Sequence, residues 1–252
     1  MIGLNQRTIN RLYRPFLALI LLAALLIGLT GCMYPGERGE GNKRSYKESV
    51  DRVQRALDQF QADTGILPII TAGPETPRYE KFRIDLDQLH SKGYLDEIPS
   101  AAFEQGGSVY FLVLNEEVQP TVKVMDLLTV QKVNDVQRLV NNYRSKHDEA
   151  LPLQEEREAY PGLFTVDLKR AGAQNYKVSS VYSGQELPFL VNRAGTVYLD
   201  YAFDIMQVID HQQINPGADE DLRTYLTEHS YYAPVKSLPY LWQDDTPIAV
   251  ME

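Results

Sequence analysis

Two stretches of the chain carry apolar residues at helical spacing on an otherwise polar surface. Val50, Val53, Leu57 and Phe60 form the first stripe, and Val133, Val136, Val140 and Tyr143 form the second. Residues three and four apart share one helix face, so each stretch predicts an amphipathic helix that buries its stripe. Ser45 with Glu48 reads as a capping-box start for the first helix, and Gly65 reads as its stop. The apolar runs Val109 to Leu114 and Leu187 to Asn192 predict strands. Each is followed by a partner: Thr121 to Met125 after the first, and Thr196 to Tyr201 after the second, across a turn at Arg193-Ala194-Gly195. Helices are predicted near Asp204 to His211 and Ala218 to Glu228. The proline- and aromatic-rich segment from Tyr231 is expected to wrap the second half.

The order of these landmarks repeats. Leu151-Pro152 answers Leu67-Pro68, Val166-Asp167-Leu168 answers Ile84-Asp85-Leu86, and Tyr176 answers Tyr94. Val53 and Val136 are 83 positions apart, Leu67 and Leu151 are 84 apart, and Asp85 and Asp167 are 82 apart. The triplet Val-Gln-Arg stands at both 53–55 and 136–138. A near-constant offset across separate landmarks indicates an internal repeat. The fold class expected is α+β: two tandem repeats, 44–126 and 127–204, each a long helix packed on a small antiparallel sheet. Residues 205–252 form a helical and irregular extension.

The N-terminus has a different pattern. Arg7, Arg11 and Arg14 precede an almost wholly apolar run of 14 residues, Phe16 to Leu29. That run is short of the roughly 20 residues of a membrane-spanning helix and suits an export signal. Leu29-Thr30-Gly31-Cys32 comes directly after it and resembles the lipobox of bacterial lipoproteins. The resemblance implies cleavage between Gly31 and Cys32 and a diacylglycerol on the Cys32 sulfur. Residues 1–31 are then the signal peptide. Residues 32–43, with Gly36, Gly39 and Gly41 and little to bury, read as a flexible tether. The expected location is the extracytoplasmic face of the cell membrane, with the membrane bound through the lipid on Cys32.

Charge sharpens this picture. The signal holds three of the 25 basic residues and none of the 34 acidic ones, so its removal takes the net charge from −9 to −12. Such a body has no basic footprint for nucleic acid. Cys32 is the only cysteine. Once lipidated it leaves no thiol for a disulfide, for catalysis or for a metal. Sixteen tyrosines against eight phenylalanines supply rings with a polar edge, suited to core and rim packing or to an interaction surface.

Ala56-Leu57-Asp58, Phe60, Asp63-Thr64-Gly65, Leu67-Pro68, Tyr94-Leu95 and Ile98-Pro99 resemble the globular part of type II secretion pseudopilins. The resemblance implies a helix, an acidic-glycine turn and a small sheet. It departs where pseudopilins keep a long hydrophobic N-terminal helix for filament assembly, because here that segment is expected to be cut away at Cys32. The calcium-binding C-terminal pattern of the major pseudopilins is not recognisable either. As a whole the chain is similar to uncharacterised two-lobed lipoproteins of Gram-positive bacteria.

No nucleophile elbow, P-loop or dinucleotide fingerprint is present. His90, His147, His211 and His229 form no ligand pair, and His90 and His147 fall at helix ends, where a cation satisfies the last carbonyls. Gly106-Gly107 reads as a turn. Glu155-Glu156-Arg157-Glu158 reads as a solvated face, Asp219-Glu220-Asp221 as a helix start, and Asp244-Asp245 as part of the tail. Asp85 and Asp167 read as caps after a strand. No catalytic residue, metal site or cofactor is expected. The expected function is a non-enzymatic interaction or envelope-assembly module whose partner is an envelope protein or a wall polymer. The rival is a solute-binding lipoprotein holding a ligand between its two lobes.

Overall fold

The computed structural model describes residues 40–251. The expected export signal and the lipobox-like segment, with Gly31 and Cys32, lie outside the described residues. The chain divides into two units, Met1–Lys43 and Arg44–Glu252. The second unit is mixed helix and antiparallel sheet, an α+β fold.

Helix α1 (Glu40–Thr64) begins five residues before Ser45. A capping box is a local preference of about 1 kcal/mol, and it does not stop a helix from continuing upstream. The last four residues of the expected tether are therefore helical. Gly65 ends the helix at φ +74°, with its N–H donated to the Gln61 carbonyl. The stripe Val50, Val53, Leu57 and Phe60 is buried, at about 1.5–3 kcal/mol for each large side chain.

The stripe packs on a four-stranded sheet of order β1-β2-β3-β4. The strands are β1 (Ile69–Thr71), β2 (Phe82–Ile84), β3 (Val109–Leu114) and β4 (Thr121–Asp126). The short helices α2 (Arg78–Lys81) and α3 (Leu86–Ser91) flank β2. Val109, Phe111, Val113, Val122 and Val124 meet α1. Leu112, Leu114 and Met125 point the other way, onto Tyr79, Ala233 and Val235. A sheet covered on both faces explains why β3 is an unbroken apolar run rather than an alternating one. Gly107, just before β3, lies so close to the Ala101 carbonyl that a Cβ there would sit 1.9 Å from its oxygen.

Helix α4 (Leu127–Lys146) continues from β4 without a loop, capped by Asp126, whose carboxylate accepts the N–H groups of Leu128 and Thr129. Val133, Val136 and Val140 face a three-stranded sheet of order β5-β6-β7. Its strands are β5 (Leu163–Thr165), β6 (Phe189–Asn192) and β7 (Val197–Leu199). Tyr143, expected on the same stripe, is only half-buried. It stacks on His147 at 3.9 Å and its hydroxyl accepts from Arg170. The matching Phe60 meets Tyr94 edge-on at 5.1 Å in the core. A phenol needs a polar partner, and here that partner lies at the surface.

The remaining elements are α5 (Ala202–Gln212), α6 (Arg223–Glu228) and the hairpin β8 (Tyr240–Gln243) with β9 (Thr246–Ala249). Asp244 and Asp245 are its two-residue turn, both at positive φ, as a type I′ turn requires. Helix α6 is shorter than the expected Ala218 to Glu228, because Ala218 and Asp219 form a turn and Glu220 and Asp221 are irregular before it. The segment from residue 205 is not an appendage. Ile205, Ile209, Leu222, Leu226, Tyr240 and Ala249 lie in the same core as α4 and the second sheet.

Residues 230–238 run across both sheets instead of wrapping only the second. The Val124 N–H donates to the Tyr231 carbonyl at 2.8 Å, and the Ala233 N–H donates to the Val124 carbonyl at 2.9 Å. Further along, the Leu199 N–H donates to the Lys236 carbonyl at 2.8 Å, and the Tyr201 hydroxyl donates to the Val235 carbonyl at 3.0 Å. Edge groups of β4 and β7 thereby find partners that water would otherwise supply.

Candidate functional site

Two glutamines set the frame on which the surface loops sit. Gln54 of α1 accepts the Val122 N–H at 2.7 Å, donates to the Pro120 carbonyl at 3.0 Å and donates to Asp58 at 2.8 Å. Gln137 of α4 accepts the Val197 N–H at 2.8 Å, donates to the Gly195 carbonyl at 2.7 Å and donates to Asn141 at 3.0 Å. In each half the helix thus grips the start of the second hairpin strand through one side-chain amide. The turns after Leu-Pro also match. The Asp85 N–H donates to the Pro68 carbonyl at 2.8 Å, and the Asp167 N–H to the Pro152 carbonyl at 2.7 Å.

The hairpin tips differ. Between β3 and the Pro120 anchor lie residues 115–119, whereas between β6 and the Gly195 anchor lie only Arg193 and Ala194. In the second half Arg144 closes over the short tip, donating to the Ala194 carbonyl, and a Cβ on Gly195 would meet that guanidinium at 2.3 Å. In the first half the tip is longer and largely exposed. Together with Pro74 to Arg78 it walls a groove of about 700 Å³. Glu75, Arg78 and Lys81 line it from the 74–82 segment, Glu116 and Glu117 from the tip, and Phe82 contributes an aromatic face. The Arg78 Nη2 donates to Asn115 Oδ1 at 3.1 Å, which ties the two walls together at one end. Val118 at the tip is 91% exposed. On the far side of Glu75 and Pro77 lies a second hollow of about 350 Å³, lined by Val133, Asn134, Tyr198, Leu238 and Met251.

The sequence-predicted candidates do not converge on either hollow. Asp85 caps α3 by accepting the Gln88 N–H at 2.8 Å. Asp167 caps the equivalent turn, accepting the N–H groups of Lys169 and Arg170 at 2.9 Å. His90 lies in the last turn of α3, and His147 ends α4 with its ring Nδ1 2.8 Å from the Tyr143 carbonyl. His211 and His229 are exposed near the ends of α5 and α6. Glu155 to Glu158 are exposed. Glu158 accepts from the Gly162 N–H and from Arg193, and these bonds hold its carboxyl below the usual range. Asp221 pairs with the buried Arg223, and Glu220 accepts from the Tyr225 hydroxyl, which burial and that carboxylate push up to about 12. Among the described residues no three His, Cys, Asp or Glu side chains gather as a metal site.

The polar groups that do gather are not apparent from spacing, and they are buried or half-buried. Asp200 accepts from Tyr160 at 3.0 Å, from Tyr240 at 2.9 Å and from the Ala202 N–H at 3.0 Å. Burial raises both phenols above their ordinary pKa, with the Asp200 charge adding to it. Both rings stay neutral donors. Asp204 is 1% exposed, accepts from Ser180 at 2.7 Å, and is raised by desolvation. Tyr182 donates to the Tyr232 carbonyl. Every described tyrosine is buried or half-buried. The tyrosines therefore cross-link elements of the fold instead of forming an exposed patch.

Residues 46–126 match the model of the YphF family N-terminal domain, a family of uncharacterised bacterial proteins. The matched segment runs from α1 to the end of β4. No curated protein and no solved structure matches the chain. Among the described residues no helix is long and apolar enough to cross a membrane.

Proposed function

We propose that this chain is a lipoprotein, anchored by diacylglycerol on Cys32 at the extracytoplasmic face of the cell membrane, whose α+β body is a non-enzymatic interaction module. In this reading the two halves descend from one duplicated unit, and the partner is an envelope protein or a wall polymer. The observation that carries it is the groove beside the 115–119 tip. It sits where two otherwise matching halves differ in loop length, and insertions on a repeated frame are commonly where a binding face is built. The phenols and carboxylates that do cluster, buried or half-buried, are bound to one another or to neighbouring side chains within the fold.

Two measurements test this reading. Intact mass of the N-terminus should give an acylated Cys32 in a chain that lacks residues 1–31. A chain still starting at Met1 with an unmodified Cys32 would end the anchoring proposal. Photo-crosslinkers placed at Val118 and, as a control, at exposed Asp210 of the full-length membrane-bound protein should give adducts at the first position and not at the second. Equal yields at both would remove the groove as the interaction site.

The second reading, a ligand held between the halves, is favoured by the 350 Å³ hollow, which draws on α2, α4, β7 and the 230–238 segment. That volume lies within the roughly 300–1,000 Å³ of small-molecule sites. A thermal-shift screen against sugars, peptides and metals separates the two readings, because a ligand that binds only the folded state raises its stability.

A further inference from the structure

The groove beside the 115–119 tip carries charges of both signs, two cations and the Glu75 carboxylate on the 74–82 segment and two carboxylates on the tip. Arg78 and Lys81 project from α2 on one side, and Glu116 and Glu117 stand on the 115–119 tip on the other. Among the described residues, Lys81, Glu116 and Glu117 are in no ion pair. Lys81 Nζ lies over the Phe82 ring, 5.2 Å from its centroid, so the cation and one face of the ring are already in contact. Arg78 is held by Asn115, which fixes the separation of the walls at one end. The groove is open, and its volume of about 700 Å³ exceeds what a single ion or sugar would fill.

Building on the interaction reading above, we propose that this groove binds a short zwitterionic peptide. A free carboxylate would face Arg78 and Lys81, a side-chain ammonium would face Glu116 and Glu117, and an aliphatic stem would pass along the edge of Phe82. A ligand with only negative charge meets Arg78 and Lys81 but is repelled by Glu75, Glu116 and Glu117, and one with only positive charge leaves the two cations unanswered. A peptide with both charges a few ångströms apart meets both walls. Charge complementarity of this kind sets orientation and specificity more than raw affinity. The shorter tip of the second half, closed by Arg144, provides no such pair of walls.

The test uses the full-length protein in detergent and three probes followed by NMR or calorimetry. The probes are N-acetyl-Ala-Ala-Lys, its C-terminal amide, and the analogue with norleucine in place of lysine. The first should bind saturably, and each of the other two should bind at least tenfold more weakly. Lys81→Gln, which leaves the Arg78–Asn115 bond in place, should weaken the parent peptide and reduce discrimination between acid and amide, leaving that between lysine and norleucine. Glu116→Gln with Glu117→Gln should do the reverse. These side chains lie at the surface, and an unchanged melting temperature confirms that each variant is folded. No saturable binding to the wild type would overturn the proposal, as would variants that discriminate as the wild type does. The Val118 crosslink distinguishes failure of the peptide from failure of the interaction reading. Adducts at Val118 without peptide binding reject the peptide and keep the interaction reading, and failure of both rejects both.

Discussion

Glu80 holds Lys236 twice: its carboxylate accepts the Lys236 backbone N–H at 2.9 Å and lies 3.1 Å from the Lys236 Nζ. Lys236 sits at φ +55°, a conformation an unbranched L residue adopts at a cost, and its own carbonyl accepts the Leu199 N–H. One residue of the C-terminal segment is thereby bonded to α2 on one side and to β7 on the other. Glu80→Ala should free this segment, because it removes the partner of a half-buried N–H as well as the ion pair. The expected loss is about 1–3 kcal/mol, with faster hydrogen exchange at Leu199 and Ala233. Glu80→Gln keeps an acceptor for the N–H and should cost about 1 kcal/mol or less. Equal effects of the two substitutions would mean that the ion pair, and not the backbone bond, holds the segment.

Gln54 and Gln137 make corresponding bonds, so they should respond alike. Gln54→Ala leaves the Val122 N–H without its acceptor, and Gln137→Ala does the same to the Val197 N–H. Each should cost about 1–3 kcal/mol in urea unfolding. A loss in one half with none in the other would break the equivalence of the two helices.

Phe60 and Tyr143 occupy matching helical positions but should respond differently. Phe60 is fully buried, so Phe60→Ala should cost about 3–5 kcal/mol. Tyr143 rests on His147 and Arg170 at the surface, so Tyr143→Ala should cost about 1 kcal/mol or less. Thermal or chemical unfolding of the pair checks both.

Asp204 gives a pH signature. Its carboxyl is raised above the usual range by desolvation, so the folded state binds its proton more tightly than the unfolded chain does. The contribution is fully present below the unfolded carboxyl value and is lost as pH rises through the folded one. Asp204→Asn, neutral at every pH, should therefore gain stability relative to the wild type at neutral pH, and that gain should shrink in acid. Melting temperatures of both proteins across that range measure it. A difference independent of pH would show that Asp204 does not titrate in this way.

The amphipathic helices, the hairpin β3–β4, the core of β6–β7 and the capping role of Asp85 and Asp167 can all be read from the chain, because each depends on neighbours a few positions away. Periodicity reports which face of a helix is apolar, and an unbroken apolar run reports a strand buried on both sides. What the chain alone does not reveal depends on residues brought together from a distance. The strands Ile69–Thr71 and Phe82–Ile84 are three residues each, too short to stand out from loops. The path of residues 230–238 across both sheets rests on bonds to Val124 and Leu199 that leave no periodic trace. Tyr143 fits its helical stripe yet leaves the core, since the partner of its hydroxyl comes from a loop near Arg170. The groove exists because one hairpin tip is longer than its counterpart and stands opposite α2. A loop's length is written in the sequence, but which wall it faces is decided only when the sheet order brings Glu116 and Glu117 across from Arg78 and Lys81.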